Sequence, residues 1–164
     1  MNGKSSEPLD NLHASLVCLD GEGVLVTGRS GVGKTSLAFG LMDAARLRNL
    51  DAALVADDRV IITSDGKRLY GAPPQELAGL AELRGLGIVR VDWQASAPIR
   101  LAVHICDDAT IERMPHEEVF SLSGISLRSI RVPERHEAQG VRLVLAALGL
   151  GEFGRNRETT QEGS

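Results

Sequence analysis

The sequence predicts an α/β fold in which helices flank a mixed central sheet. Three observations indicate this fold: short apolar runs of strand length, two stretches with helical periodicity, and a glycine-rich loop between a strand and a helix. Short turn sequences separate several of the apolar runs. The sheet should therefore contain antiparallel as well as parallel neighbours.

Length and composition fit a single globular domain. The chain has 164 residues, of which 43% are hydrophobic, enough for one buried core. A net charge of −4 argues against a general nucleic-acid binder, which usually carries a basic excess. No apolar run is long enough to span a bilayer, and the first twelve residues lack the apolar core of a signal peptide. We therefore expect a cytoplasmic protein with no membrane or nucleic-acid partner.

The N-terminal half of the predicted fold begins with a hairpin. The apolar runs His13–Leu19 and Gly23–Thr27 read as strands, and Asp20-Gly21-Glu22 between them is a hairpin-type turn. A helix is predicted over Lys34–Arg48, because its apolar residues recur at helical spacing. Those apolar residues are Leu37, Leu41, Ala44 and Ala45.

The remaining elements alternate short strands with strong turn signals. Ser64-Asp65-Gly66 is one such turn, and Pro73-Pro74 ends the strand that follows it. The last predicted element is a helix over 138–148. The strands are predicted at 53–56, 59–63, 68–71, 88–91 and 99–105.

The domain limits follow from composition. The polar segments 1–11 and 151–164 are predicted to be flexible, and 12–150 to form the folded domain. Cys18 and Cys106 lie far apart without metal-type spacing, so we expect both to be reduced and inert.

The glycine-rich loop has the sequence GRSGVGKT and fits the phosphate-loop pattern at every defined position. Its glycines let main-chain N–H groups point at phosphate oxygens, and the following helix adds its positive dipole end. Lys34 should reach the β- and γ-phosphates, and the Thr35 hydroxyl should ligate Mg²⁺. The loop predicts ATP and Mg²⁺ as cofactors, bound by Gly28, Arg29, Ser30, Gly31, Val32, Gly33, Lys34 and Thr35.

Asp57 and Asp58 follow the apolar strand 53–56, as the metal-binding carboxylate of a phosphate-loop protein does. Burying adjacent carboxylates is costly unless a cation or proton relieves them. Because neighbouring strand residues point to opposite faces, we expect divided tasks, one carboxylate near the metal and the other near the reacting hydroxyl. The second aspartate alternatively reads as a solvated strand-end residue or turn cap.

Other polar residues can also be interpreted without a function. Taken alone, His13 reads as a surface histidine at a strand edge, and Glu82 with Arg84 as a solvent-facing ion pair. A second acidic pair, Asp107-Asp108, also follows an apolar strand. No phosphate loop precedes it, so a turn or surface position is the preferred interpretation.

Four features together resemble the bacterial HPr kinase/phosphorylase family: His13, GRSGVGKT, LVADDRV (54–60) and AELRGLGI (81–88). The resemblance covers about His13 to Leu148. It implies a phosphate-loop kinase domain that phosphorylates a serine of HPr or an HPr-like phosphocarrier of the phosphotransferase system. It also implies that the same site can remove that phosphate by phosphorolysis, and that the protein forms a homo-oligomer, a hexamer in this family.

The resemblance also implies roles for single residues. Asp57 would be the base that takes the serine proton, with His13 interacting with it. Asp58 would lie beside the metal with Thr35, and Glu82 would be a further Mg²⁺ ligand. Lys34 would act on the phosphates, and Arg113 in ERM matches an arginine of the active site, on a looser alignment.

The sequence departs from the family pattern in two places. Only twelve residues precede His13, which resembles the short, single-domain form of some proteobacteria. The family segment containing GRN appears as VPERHEA (132–138), where only Arg135 matches, and this leaves the reverse reaction open. Two other functions stay open on the residues alone: a small-molecule kinase, and a nucleotide-binding regulatory module with little catalysis.

Overall fold

The computed structural model describes residues 7–151, which form a mixed α/β domain. Two α-helices are present, α1 (Lys34–Leu47) and α2 (Glu137–Leu148), and single 3-10 turns cover Gln75–Leu77 and Asp108–Thr110. The strands are β1 (Asp10–Leu12), β2 (Ser15–Leu19), β3 (Glu22–Thr27), β4 (Ala52–Ala56), β5 (Val60–Ser64), β6 (Leu69–Ala72), β7 (Leu80–Leu83), β8 (Gly87–Arg90), β9 (Ala97–Cys106), β10 (Glu118–Leu122) and β11 (Ile125–Pro133).

Nine of these strands form one mixed sheet, and β7 and β8 form a separate antiparallel hairpin. The order across the large sheet is β1-β5-β6-β9-β3-β2-β4, and β11 joins β9 and carries β10 on its other side. β3, β9 and β11 are parallel neighbours, and β4 runs the same way as β3 because both are antiparallel to β2. The carboxyl ends of β3, β4, β9 and β11 therefore share one edge, where ligands bind in open α/β sheets.

The core lies on both faces of the sheet. On β2, Val17 and Leu19 join the buried cluster beneath the two helices, and Leu16 and Cys18 join a second cluster on the opposite face. This alternation follows from the strand period of two residues. Residues of β5, β10 and β11 pack against the second cluster, so both faces of β2 are covered.

The two helices approach each other closely at a pair of glycines. A Cβ atom on Gly40 of α1 would lie 3.2 Å from Val141 Cγ2, and one on Gly140 of α2 would lie 3.2 Å from Leu37 Cδ1. Both distances are below ordinary van der Waals contact between carbon atoms. The glycines therefore allow α2 to pack on the first turns of α1.

The predicted mixed sheet with flanking helices is confirmed. Four strands, β1, β7, β10 and β11, had no predicted counterpart. β1 has three residues, and part of it lies inside the segment 1–11 that was expected to be flexible. β11 contains arginine and serine among its apolar residues, which obscures the strand pattern.

The domain limits remain a prediction, because residues 1–6 and 152–164 lie outside the described part of the chain. Over residues 7–151, neither helix is long and apolar enough to cross a membrane. Both cysteines, Cys18 and Cys106, are free thiols.

Candidate active site

The phosphate loop connects β3 to α1 in a conformation that depends on glycine. Gly28, Gly31 and Gly33 have φ angles of 151°, 77° and 107°, in the region that favours glycine. A Cβ on Gly28 would lie 2.8 Å from Val32 and 3.1 Å from the Ile105 carbonyl oxygen. The loop therefore curls tightly against the end of β9, and Gly33 caps the N-terminus of α1.

The buried polar residues of the domain gather beside this loop. Within residues 7–151, the buried polar or charged residues are Ser15, Lys34 and Asp57, at 1%, 7% and 6% exposure. They come from β2, the start of α1 and the end of β4. Burying such groups is costly unless they are paired, so their clustering marks a functional site rather than a packing detail.

Asp57 is held by three donors from three different elements. Its Oδ1 atom accepts hydrogen bonds from Ser15 Oγ at 2.8 Å and from Thr35 Oγ1 at 2.9 Å. Its Oδ2 atom accepts from the Glu82 main-chain N–H at 3.3 Å. The carboxylate is therefore fixed against the hydroxyl that closes the phosphate loop.

Asp58 takes a different direction because the chain turns at this residue. Its φ of 69° is left-handed, a conformation that aspartate tolerates better than most residues. The Asp58 main-chain carbonyl accepts from Ala14 N–H at 3.2 Å, and its Oδ1 lies 3.3 Å from His13 Nε2. Asp58 and His13 are both exposed, so this pair faces solvent at the site entrance.

These positions correct the expected arrangement of the acidic pair. His13 contacts Asp58 rather than Asp57, and Thr35 contacts Asp57 rather than Asp58. The two carboxylates do diverge, but Asp57 and Asp58 lie beyond the end of β4. A left-handed turn at Asp58, not the alternation of a strand, separates them.

Lys34 folds back over its own loop. Its Nζ donates to the carbonyl oxygens of Gly28 and Arg29, each at 3.0 Å. Burial lowers the pKa of Lys34 from its ordinary value, whereas Asp58 and then Asp57 act in the raising direction. Both carboxylates thus act electrostatically on the lysine, and Asp58 more strongly than Asp57.

The two remaining predicted residues differ in their relation to the loop. Glu82 lies on β7, where its N–H contacts Asp57 and its side chain is exposed. Arg113 lies on the exposed segment between the turn Asp108–Thr110 and β10. Among the described residues it makes no hydrogen bond or ion pair, so its place in the site stays a prediction.

Two residues that contact predicted site residues, Ser15 and Glu134, were not themselves predicted. Ser15 is fully buried on β2, and a lone hydroxyl two residues after His13 was the only sequence signal for it. Arg29 of the loop pairs with Glu134 of VPERHEA, with Nη2 and Oε2 2.6 Å apart. The sequence places these two residues 105 positions apart, and only the parallel pairing of β3, β9 and β11 brings them together.

The donor set suits a magnesium ion bound together with a nucleotide. Across residues 7–151, no three His, Cys, Asp or Glu side chains gather into a group that would hold a metal by themselves. Mg²⁺ in nucleotide sites needs only one or two protein ligands, because phosphate oxygens and water complete its shell. The hydroxyl of Thr35 and the carboxylate of Asp57 are oxygen donors of the kind that Mg²⁺ prefers, and they are in contact with each other.

Comparison with known sequences identifies one family. The family described as "HPr Serine kinase C-terminal domain" matches residues 6–149. The chain is similar to the HPr kinase/phosphorylase of Limosilactobacillus reuteri, with 34% identity over 138 residues, 77% of this chain and 41% of that protein. It is similar to that of Clostridium beijerinckii, with 33% identity over 139 residues, 78% of this chain and 44% of that protein. The chain thus spans about two fifths of the length of these relatives.

A solved structure has the same fold. The Hpr(Ser) kinase/phosphatase from Coxiella burnetii superimposes with a TM-score of 0.69 over 85% of this chain and 99% of that chain, at 22% identity. Fold, motifs and sequence profile agree over nearly all of the described residues. The chain belongs to the family of HPr serine kinase C-terminal domains.

Proposed function

We propose that this domain transfers the γ-phosphoryl group of ATP to a serine of HPr or of an HPr-like phosphocarrier. One observation carries the proposal: the phosphate loop ends on a hydroxyl that binds Asp57, with a second carboxylate, Asp58, beside His13. A phosphate loop alone needs only the first carboxylate. The second one, exposed and paired with His13, is a candidate base for a hydroxyl acceptor.

The two aspartates then have the opposite roles to those expected from the sequence. Asp57 and Thr35 would hold Mg²⁺, and Glu82, whose main-chain N–H contacts Asp57, is a candidate for a further ligand. When bound, the ion would neutralise charge on the β- and γ-phosphates. Asp58 is exposed, is oriented by His13 and is free of the loop hydroxyl, so it is the better candidate for the base.

The proposed reaction is an in-line displacement. The serine hydroxyl attacks the γ-phosphorus while the bond from that phosphorus to the bridging oxygen of ADP breaks. The serine proton passes to the Asp58 carboxylate, and Lys34 with the loop N–H groups stabilises charge on the phosphate oxygens. In reverse, inorganic phosphate would attack phosphoserine, and Asp58 would return the proton to the departing serine oxygen.

Lys34 would change partners during this reaction. Its ammonium donates hydrogen bonds to the Gly28 and Arg29 carbonyl oxygens. Phosphate oxygens are stronger acceptors for an ammonium than carbonyl oxygens are. A bound nucleotide would therefore draw Lys34 away from the loop main chain, and Arg113 would remain a candidate for a later contact with the acceptor or phosphate.

The direct test is phosphate transfer in solution. The purified protein is mixed with γ-labelled ATP, Mg²⁺ and HPr, and the label is located by mass spectrometry. Label on one HPr serine supports the proposal, and an HPr variant with that serine replaced by alanine is the control. Label on a metabolite would instead support a small-molecule kinase. Tight ATP binding without any transfer would support a regulatory nucleotide-binding module.

Assembly and the cellular setting extend the proposal. The family resemblance implies a homo-oligomer, a hexamer. Light scattering of the full chain gives its molar mass and so the number of subunits. The reverse reaction is measured separately, as release of pyrophosphate from phosphoserine-HPr and inorganic phosphate. Loss of the reverse reaction with an intact forward reaction would indicate that the difference between VPERHEA and the family segment containing GRN affects phosphorolysis.

A further inference from the structure

A shift in register between β2 and β4 determines which face of the sheet the residues after β4 reach. Val17 lies opposite Leu54, but the preceding residue of β2, Leu16, lies opposite Ala56. Val55 is therefore an extra residue in β4, so that two residues of one strand oppose one residue of the other, as in a β-bulge. The chain beyond this point is displaced by one position relative to β2.

This displacement brings Asp57 opposite Ser15. The Ala14 N–H donates to the Asp58 carbonyl oxygen at 3.2 Å, so the new register continues past the end of β4. Without the extra residue, Asp57 would lie opposite Ala14, which belongs to the buried cluster on the face away from the helices. Because side chains alternate between the two faces of a strand, the bulge moves Asp57 to the face on which Thr35 lies.

Ser15 is the polar exception on an apolar strand. The other residues of β2, Leu16–Leu19, are apolar and buried, and Ser15 is only 1% exposed. A buried hydroxyl is costly unless it is hydrogen-bonded. Within residues 7–151, the Ser15 hydroxyl makes one side-chain hydrogen bond, to Asp57 Oδ1 at 2.8 Å. The serine therefore serves the contact with Asp57 rather than the packing of the strand.

The two hydroxyls that bind Asp57 Oδ1 would not have the same task. Thr35 is also a proposed ligand of Mg²⁺, so its hydroxyl would serve the ion as well as the carboxylate. Ser15 lies on β2, between β3 and β4 in the sheet, and donates to the carboxylate from that fixed position. The other carboxylate oxygen, Oδ2, accepts a longer contact, from the Glu82 N–H at 3.3 Å, and is less engaged with the protein.

We propose that Ser15 is a positioning residue for Asp57, which it reaches because of the bulge in β4. Its hydroxyl holds Oδ1 and keeps the carboxylate in one orientation toward the Mg²⁺ position beside Thr35. The inference rests on the proposed function, in which Asp57 is a ligand of the ion. Partners that hydrogen-bond a metal ligand orient it, and their loss commonly weakens metal binding by about 10- to 100-fold.

The test compares Ser15→Ala, which removes the hydroxyl, with Ser15→Thr, which keeps it. ADP binding to the full chain is measured by calorimetry over a series of Mg²⁺ concentrations and in the presence of a chelator. Cys18→Ala is the matched control, because it removes one heavy atom from the same strand at a buried position on the opposite face.

Thermal melting verifies that each variant is folded. Asp57 keeps the Thr35 and Glu82 donors in Ser15→Ala, so this variant should fold. If it does not, Ser15→Cys takes its place, because cysteine has nearly the same shape but only a weak S–H donor. The expected results are the same for either variant.

We expect Ser15→Ala to need about tenfold more Mg²⁺ for the same gain in ADP affinity, with unchanged ADP affinity in the absence of the ion. Ser15→Thr and Cys18→Ala should both show the Mg²⁺ dependence of the natural protein. A purely structural serine would instead change ADP affinity equally with and without the ion. That result, a natural Mg²⁺ dependence in Ser15→Ala, or the same loss in Ser15→Thr would overturn the inference.

The outcome also separates this inference from the proposed function. A natural Mg²⁺ dependence in both Asp57→Asn and Ser15→Ala would overturn the ligand assignment together with the inference. Loss of the dependence in Asp57→Asn alone would overturn the inference and leave the ligand assignment intact. A shifted dependence in Ser15→Ala, in a protein that transfers no phosphate to HPr, would support the positioning role and overturn the kinase proposal.

Discussion

Two pairs of adjacent aspartates leave the same edge of the sheet and end in different surroundings. Asp57-Asp58 follows β4, and Asp107-Asp108 follows β9, which runs in the same direction. Asp57 is buried, whereas both members of the second pair are exposed. The Asp107 side chain accepts a hydrogen bond from the Ala109 N–H at 3.0 Å and caps a 3-10 turn, as the sequence predicted.

The difference lies in what each pair meets. β2 and α1 bring the hydroxyls of Ser15 and Thr35 to Asp57, and the chain before β2 brings His13 to Asp58. Asp107 instead satisfies main-chain donors of its own turn. The same Asp-Asp dipeptide thus acquires different chemistry from neighbours that are distant along the chain. The comparison can be tested by changing the two pairs in the same way.

The largest expected effect is on catalysis at Asp58. Asp58→Asn removes the proposed base and should lower the rate of phosphate transfer to HPr by about 10²- to 10⁴-fold, the usual contribution of general base catalysis. ADP affinity should be nearly unchanged. The matched change Asp108→Asn should leave the single-turnover rate at the natural value. A near-natural rate for Asp58→Asn would return the assignment of the base to Asp57.

The next effect is on stability and magnesium dependence at Asp57. Asp57→Asn turns one acceptor into an N–H₂ group that faces either the Glu82 N–H or two hydroxyl donors. Either the Glu82 N–H or the hydroxyl hydrogens of Ser15 and Thr35 then lose their acceptor, which should lower the free energy of unfolding by about 1–3 kcal/mol.

Urea unfolding measures this change in stability, and ADP titration with and without Mg²⁺ measures the second part of the prediction. The natural protein should bind ADP more tightly with the ion, and Asp57→Asn should lose most of that difference. Asp107→Asn is the control at the other pair. Retention of the full magnesium effect in Asp57→Asn would contradict its place as a ligand.

A smaller effect is expected at the second pair. Asp107→Ala removes the cap of the 3-10 turn and should lower the free energy of unfolding by at most about 1 kcal/mol. Phosphate transfer should continue at the natural rate. Within residues 7–151, the Asp107 side chain makes no hydrogen bond to the phosphate loop. Loss of nucleotide binding in this variant would remove the contrast between the pairs.

The smallest effect is a pH dependence of stability that arises at Lys34. Burial lowers the pKa of Lys34 in the folded protein, against the opposing fields of Asp58 and Asp57. Between that lowered pKa and the ordinary lysine pKa of 10.5, the unfolded chain binds more protons than the folded protein, so stability should rise with pH in this window.

Lys34→Met should remove this part of the slope, and urea unfolding at a series of alkaline pH values measures it. Lys67→Met, at an exposed lysine of the β5–β6 turn, is the control and should keep the slope of the natural protein. A slope that persists in Lys34→Met would place its origin in another group.

Much of this fold could be predicted from sequence because its signals are local. The phosphate loop, the hairpin turn at Asp20-Gly21-Glu22 and the apolar strands each depend on residues that are neighbours in the chain. β1 and β11 escaped prediction because their residues become strand through pairing with β5 and β9, not through their own pattern.

The site was predictable in its members but not in its contacts. Residue type and spacing indicated Lys34, Thr35 and the two aspartates. Which aspartate meets Thr35 depends on a left-handed turn at Asp58, and aspartate adopts that conformation without a distinctive sequence signal. The bond from Ser15 to Asp57 and the pair of Arg29 with Glu134 depend on sheet order, which a single sequence does not contain.

The contact between α1 and α2 at Gly40 and Gly140 borders the cavity that lies between the phosphate loop and the start of α2. Because Gly40 and Gly140 have no side chains, the Val141 side chain of α2 packs directly on Gly40, and the Leu37 side chain of α1 packs directly on Gly140. One added methyl group at either glycine would lie 3.2 Å from one of these side chains, so the side chain must move or the helices must separate, and the shape of the cavity that Leu37 and Gly140 line would change. Homologues with alanine there should differ in the size of ligand that they accept.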